Sequence, residues 1–291
     1  MAIPIAAIAQ QDPLYAQYLL NPALINPAWA GLNNEVTLVV AYRTQWVGLE
    51  GQPETLYFNA GTSLLDNRAG AALLVLNDRI GNATNQEMSV QFAYKLRFET
   101  VTFAFGMQAG VQAFDTDHAA LNILDAGDNA FRSTERGSRM NIGAGMVLKS
   151  DRFFIGVSVP RLMPSTFRIS GQRFRLYNQH FYVAGGYVHF VNEHLRFRPS
   201  VVFRGVKGAP VSVDFFAEVN VNAMHTVGVF TRNLNSYGVL LQTMVRERFR
   251  FGYVYEMPAS SSAASAFNTH EIVLGMRLAV FSFQERAINS F

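Results

Sequence analysis

Residues 88–112 read MSVQFAYKLRFETVTFAFGMQAGVQ, and the residue types alternate along both halves. Met88, Val90, Phe92, Tyr94, Leu96 and Phe98 fall on one face, and Ser89, Gln91, Ala93, Lys95 and Arg97 on the other. After Glu99-Thr100 the pattern resumes. Val101, Phe103, Phe105, Met107, Ala109 and Val111 oppose Thr102, Ala104, Gly106, Gln108, Gly110 and Gln112. A period of two is the signature of a β-strand. Two such runs joined by a two-residue link predict an antiparallel hairpin. Each run is about twice the usual strand length of a soluble domain and matches the ~9–11 residues of a tilted transmembrane strand. One face is aromatic and apolar, while the other carries charge and glycine. That division fits a barrel that is apolar toward lipid and polar toward its lumen.

The same unit recurs. From Glu35 onward the pattern predicts strands at 36–43, 54–64, 68–77, 86–98, 101–114, 138–149, 152–159, 177–190, 195–205, 211–220, 224–232, 236–246, 248–257 and 269–281. Strands at 36–43, 68–77, 152–159 and 236–246 alternate least regularly. The links supply a second signal. Short ones fall at 66–67, 99–100, 150–151, 192–193, 221–223 and 247, and longer ones at 44–53, 78–85, 115–137, 160–176, 206–210 and 258–268. Only 233–235 is tight where a longer loop is due. Short turns on one rim and long loops on the other are expected of an outer-membrane barrel, and a soluble sandwich has no need of them. The fold class is therefore all-β: a transmembrane antiparallel β-barrel of about 14 strands, with a non-strand segment before it. An even count places both termini at the short-turn, periplasmic rim.

Composition agrees. The chain has 291 residues, 49% hydrophobic and 13% aromatic, yet no run approaches the length of a membrane helix. Net charge is +3, and the basic residues alternate along strands without clustering, so nucleic acid is not an expected partner. There is no cysteine, which excludes disulfides, Cys-ligated zinc and a thiol nucleophile. The six histidines form no ligand pair at helical spacing, and no metal or cofactor is expected. No nucleophile elbow, phosphate loop or dinucleotide fingerprint occurs. An outer-membrane lipase would need a Ser/His pair at the lipid face.

The expected organisation is 1–9 as the tail of a secretory signal, 10–34 as an N-terminal arm or plug, 35–283 as the barrel and 284–291 as a tail. Ala7-Ile8-Ala9 fits the small-x-small cleavage rule, with Gln10 as the mature start. In 10–34, Asn21-Pro22 and Asn26-Pro27 set two turns. Leu19, Leu20, Leu24, Ile25 and Trp29 make that segment too apolar to remain solvated. It is expected to pack into the periplasmic half of the barrel, leaving Gln10–Gln17 for a partner. A disordered leader is the alternative. Arg196, Arg198, Arg204, Arg248, Arg250 and Arg277 fall on lumen faces with Asp214, Glu218, Glu256 and Glu271. They either line an anion-selective pore or pair to fill a narrow lumen. A charge at lipid-facing Phe92 is expected to destabilise, whereas one at lumen-facing Gln91 is expected to be mild.

Several stretches resemble the PorP/SprF family of Bacteroidota outer-membrane proteins, which serve type IX secretion and gliding motility. The opening Asp12-Pro13, Gln17-Tyr18, Asn21-Pro22 and Asn26-Pro27-Ala28-Trp29-Ala30-Gly31 is similar to its QDP…QY…NP…NPAYAG, with Trp29 in place of Tyr. Tyr42-Arg43, Gln45-Trp46-Val47-Gly48 and Gly51-Gln52-Pro53 resemble its YRxQWxGxxGxP. Asn67-Arg68-Ala69-Gly70, Asn77-Asp78-Arg79-Ile80-Gly81, Val157–Leu162, Phe251–Glu256 and His270–Gly275 continue the match in order. Glu256 replaces the usual Asp, and the tail 279–291 is longer than in many members. The resemblance implies a non-enzymatic barrel that retains or anchors secreted adhesins or other cargo carrying a type B C-terminal signal. It also implies contacts with periplasmic ring and lipoprotein components. The partner/plug residues on this reading are Asp12, Pro13, Asn21, Pro22, Asn26, Pro27, Trp29 and Gly31. A passive porin or hydrophobic-ligand channel is the alternative in another class.

Overall fold

The hairpin at 88–112 is one part of a closed wall. The computed structural model describes residues 18, 21–33, 35–116, 135–163, 166–169, 172–175, 179–206, 209–259 and 267–278. Its strands are β1 Val36–Thr44, β2 Glu54–Leu64, β3 Ala69–Ile80, β4 Ala83–Arg97, β5 Val101–Thr116, β6 Glu135–Ser150 and β7 Phe153–Val159. There follow β8 Thr166–Ile169, β9 Gln172–Arg175, β10 His180–Tyr187, β11 His189–Phe190, β12 Leu195–Val206 and β13 Ser212–Val221. The last are β14 His225–Arg232, β15 Ser236–Val245, β16 Phe249–Pro258 and β17 Thr269–Leu278. Neighbours in sequence pair antiparallel. β10 joins β7 to β12, and β1 closes on β17 from Val36↔Leu278 to Thr44↔His270. The result is a closed barrel of 14 strands. β11 continues β10 past Val188 along β12, and β8 and β9 form a separate ribbon.

Closure inverts the usual soluble arrangement. Phe92 is 50% exposed on the outside while Gln91 is 0% exposed on the inside. The same alternation runs down the other wall: Phe203, Phe215, Val229, Leu241, Phe251 and Leu274 are exposed, whereas Val202, Phe216, Leu240, Val254 and Glu271 are buried. Leu240 belongs to one of the irregular strands, where the inward residue is itself apolar. The wall there is buried against lumen contents.

The tight turns have a clear backbone cause. Asn222-Ala223, Asn233-Leu234 and Arg246-Glu247 have φ between 50° and 56°. Positive φ at both central residues matches the right-handed twist of the flanking strands. Three expectations change. β3 and β4 run to Ile80↔Ala83, so the predicted loop 78–85 is the tight link Gly81-Asn82, with Gly81 at φ 57. Asn77, Asp78, Thr84 and Asn85 are polar enough to read as loop, but backbone pairing continues beyond the apolar band regardless of side chain. The predicted strand 177–190 shortens to β10 and breaks at Val188, whose N–H donates to Arg152 O at 2.7 Å. The predicted loop 160–176 contains β8 and β9, paired from Thr166↔Arg175 to Ile169↔Gln172.

Candidate functional site: the filled lumen

Residues 21–33 lie inside the barrel at the short-turn half. Two short 3-10 turns, Pro22–Leu24 and Pro27–Trp29, each begin at the proline of an Asn-Pro dipeptide. Proline suits a first helical position, where no N–H is needed. The Asn26 carboxamide holds the second turn in two directions. Its Oδ1 accepts from Ala28 N at 2.9 Å, and its Nδ2 donates to Met146 O at 3.0 Å and Val157 O at 3.3 Å. The wall reaches back to the segment's carbonyls. Gln91 Nε2 donates to Ala23 O at 2.8 Å, Ser158 Oγ to Ile25 O at 2.6 Å, and Lys95 Nζ to Gly31 O. Lys149 donates to Asn33 Oδ1 at 3.1 Å and lies over the Trp29 ring, which also meets Phe154 edge-on at 5.4 Å.

The wall accepts this segment because its inner surface lacks side chains where the two backbones meet. A Cβ on Gly106 would sit 2.1 Å from Ala28 N, one on Gly145 2.1 Å from Asn26 Oδ1, and one on Gly70 2.0 Å from Ala30 O. Such distances are not available to real atoms, so β3, β5 and β6 present a glycine floor on which residues 26–31 lie. Gly31 is fixed twice over: its φ is +54, and a Cβ would meet Thr62 O at 2.1 Å.

A second element enters the lumen from the other side. After β7, Pro160 turns inward, and its carbonyl accepts from Gln108 Nε2 at 2.8 Å and Asn141 Nδ2 at 3.1 Å. Arg161 binds Glu87 Oε2 through Nε at 2.9 Å and Nη2 at 2.6 Å, and Gln112 reaches the same oxygen. Gln91 Nε2 also donates to Gln108 Oε1 at 3.0 Å. Two glutamines thus connect the N-terminal segment to the Pro160 turn.

The remaining volume holds charge pairs. Arg198 meets Glu218 at 2.8 Å, and Arg232 meets Asp214 at 3.2 Å and Glu256 at 3.4 Å. Arg43 spans Glu256 Oε2 at 2.9 Å and Glu271 at 3.1 Å, and Ser236 donates at 2.7 Å to Glu256 Oε1, the oxygen that Arg232 also faces. These groups are buried, and water does not screen their pairing. Arg277 lies 3.6 Å from Glu35, and Arg204 donates to Ser212 Oγ at 3.3 Å. Arg250 lines a cavity of about 70 Å³ with Asn21, Pro22 and Arg277. Arg196 is half-buried with its guanidinium 5.3 Å from the Phe190 ring centre, and Arg248 is exposed in the 246–248 turn. Of the plug residues read from sequence, Asn21, Pro22, Asn26, Pro27, Trp29 and Gly31 sit together in the lumen. Asp12 and Pro13 lie outside the described residues, as do 1–9 and 284–291.

The profile of the type IX secretion system membrane protein PorP/SprF family matches residues 7–276, nearly the whole chain. The chain belongs to the PorP/SprF family. It is therefore an outer-membrane barrel associated with type IX secretion. Among solved structures, the TodX monoaromatic hydrocarbon channel deltaS2 mutant is similar at TM-score 0.54 and 10% identity, over 89% of this chain and 94% of that one. Omp33 of Acinetobacter baumannii gives a TM-score of 0.48 at 12% identity, over 85% and 99%. These likenesses are of fold. No curated protein matches the sequence significantly.

Within this PorP/SprF barrel, several lumen residues escaped the sequence reading. Arg43 and Arg232 are the partners of three of the four predicted carboxylates, yet Arg43 stands out only within the YR motif and Arg232 sits at the end of its strand. Gln91 was expected to tolerate charge, but it is fully buried and bonded to Ala23 O. The glycine floor had a legible trace: Gly70, Gly106, Gly145 and Gly156 stand on four strands. Nothing local, however, shows that a backbone lies against them.

Proposed function

We propose that this PorP/SprF barrel does not conduct freely and acts as an accessory of type IX secretion. On this reading it retains or anchors secreted cargo bearing a type B C-terminal signal at the cell surface. Its short-turn rim and termini face the periplasm, where residues preceding the lumen segment meet ring or lipoprotein components. The observation that carries the reading is the lumen segment itself. Residues 21–33 are bonded to β4, β6 and β7 through main chain and side chain, and lie on glycines of β3, β5 and β6 where a Cβ would collide with them. A passive porin or hydrophobic-ligand channel needs an unobstructed path, and a built-in filling of this kind works against one.

Deletion of residues 10–31 tests the reading. The parent in planar bilayers is expected to give little or no stepwise conductance, and the deletion to give clear steps from a barrel that still folds. Cargo recovered with the barrel from native membranes is expected to fall on deletion. Large steps from the parent would remove the reading in favour of the channel, and no change in either measurement would show that the segment is neither plug nor docking arm.

A further inference from the structure

The lumen segment is bonded to one side of the barrel and leaves a space on the other. Its bonds to Gln91, Lys95, Lys149 and Ser158, and to the Met146 and Val157 carbonyls, run to β4, β6 and β7. Toward β16, β17, β1 and β2, a cavity of about 70 Å³ lies between the segment and the wall. The strand registers place Arg250, Gly275, Val39 and Asn59 level with one another across those four strands. Arg277, Thr37 and Gly61 form a second row, two residues nearer the short-turn rim. Small residues keep the space open. Cβ atoms on Gly106, Gly145 and Gly70 would strike the segment, but at Gly61 and Gly275 the nearest atoms belong to the wall. A Cβ on Gly61 would make ordinary 3.4 Å contacts with Ala72 Cβ and Thr37 Oγ1.

The lining is positively charged. Arg250 and Arg277 border the cavity and no carboxylate does. The near acid is Glu35, 3.6 Å from Arg277. On the segment's side stands Asn21, only 5% exposed. Unlike Asn26 it makes no side-chain cap, and its Nδ2 has no hydrogen-bond partner among the described residues. A buried donor without an acceptor is destabilising. Depth is graded along the cavity. Arg250, Asn59 and Asn21 are buried, whereas Thr37, Asn33 and Arg277 are partly exposed at the end toward the rim. A single water needs roughly 10–15 Å³ of such space, so the volume suits a group of about four or five heavy atoms. Acetate and phosphate are of that size.

We infer that this cavity is a binding site for a small oxyanion, a carboxylate or phosphate group that enters from the short-turn rim and is held by Arg250, Arg277 and Asn21. Guanidinium donors match the paired oxygens of either group. Away from bulk water their attraction for an anion is screened less than at the surface. Asn21 supplies the contact on the segment. The anion therefore ties the segment to β16 and β17, the side opposite its bonds to β4, β6 and β7. The inference goes beyond the cargo reading and does not depend on it, since the site requires only that the segment lie in the lumen.

The test is calorimetric titration of the full-length folded barrel, in detergent, with sodium phosphate and separately with sodium acetate. Ionic strength is held constant with sodium chloride. At least one of the two anions is expected to bind saturably and to raise the unfolding temperature above its value in chloride alone. The tighter of the two identifies the group. Gly61→Val fills the space and leaves both arginines in place, and Arg277→Gln removes a charge at the mouth. Each is expected to weaken binding about tenfold or more. Asn21→Ala alters the segment and not the wall, so closure of the barrel does not depend on it, and it is expected to weaken binding about fivefold or more. Arg152→Gln, exposed on the same rim at the turn between β6 and β7, is expected to stay within about twofold of the parent. Heat-modifiable migration on gels reports folding of each variant. If the parent binds neither anion more tightly than chloride, the cavity holds water only and the inference is overturned. It is overturned equally if Asn21→Ala and the folded wall variants bind like the parent, or if Arg152→Gln weakens binding as much as they do. None of these results alters the cargo reading.

Discussion

At the residue scale, the most constrained positions in this PorP/SprF barrel are glycines with no turn to make. Gly106 faces the lumen in the middle of a strand, where glycine is ordinarily a weakness. Its value lies in the approach of Ala28, whose backbone nitrogen would be 2.1 Å from any Cβ. Gly106→Val is expected to displace the lumen segment, lowering barrel stability by about 1–3 kcal/mol and raising conductance in planar bilayers. Gly185→Ala is the matched control, because its Cβ would make an ordinary 3.6 Å contact with Phe154 O, and it should leave both unchanged. Equal behaviour of the two variants would show that the glycine floor does not hold the segment. Asn26 is the complementary case. It is a side chain whose acceptor serves its own turn and whose donors serve two wall carbonyls, so its position depends on turn and wall together.

At the element scale, β4 shows how one strand serves two environments. Phe92 faces lipid, and Phe92→Arg places a charge in the apolar band at a cost of about 2–4 kcal/mol. Gln91 faces the lumen segment and donates to both Ala23 O and Gln108 Oε1. Gln91→Arg is expected to leave the barrel folded in lipid, because an inward charge still reaches the polar lumen, but to loosen the segment and raise conductance. Refolding yield and single-channel recording together separate these outcomes. Equal loss of folded protein for Phe92→Arg and Gln91→Arg would contradict the assignment of faces. β7 shows the opposite economy. It is shorter than its neighbours because Pro160 takes its continuation into the lumen, and its early departure creates the inner turn.

At the scale of the whole molecule, the distribution of links carries the orientation. The tight links at 65–68, 98–100, 151–152, 222–224 and 246–248 share the rim where Gly31 and Asn33 sit. Epitope tags inserted within 117–134 or 260–266 are expected to be reachable by antibody on intact cells, and tags at Asp151 or Asn192 only after permeabilisation. The reverse labelling pattern would invert the proposed topology, and with it the sides assigned to the proposed cargo and periplasmic contacts. The opposite rim is less uniform than the sequence indicates, since Gly81-Asn82 and Asn233-Leu234 are tight turns among the long loops.

Sequence alone determined the barrel, a strand count of about fourteen and, in the regularly alternating strands, the face most residues present. Those features follow from a period of two and from the difference between lipid and lumen, and both are written residue by residue into MSVQFAYKLRF and its repeats. It also marked Asn21-Pro22 and Asn26-Pro27 as two turns in an apolar segment that had to be buried somewhere. Only the tertiary structure decided what meets what inside. Arg43 finds Glu256 and Glu271 because β1 closes on β17, a contact between chain ends that no local pattern encodes. The glycine floor is assembled from strands brought side by side, and the diversion of β7 is held by Gln108, Asn141 and Glu87 from elsewhere in the wall. Alternation fixes which way a side chain points. Closure of the sheet and the packing of its contents fix what that side chain touches, because those partners are distant in sequence and adjacent only in the closed barrel.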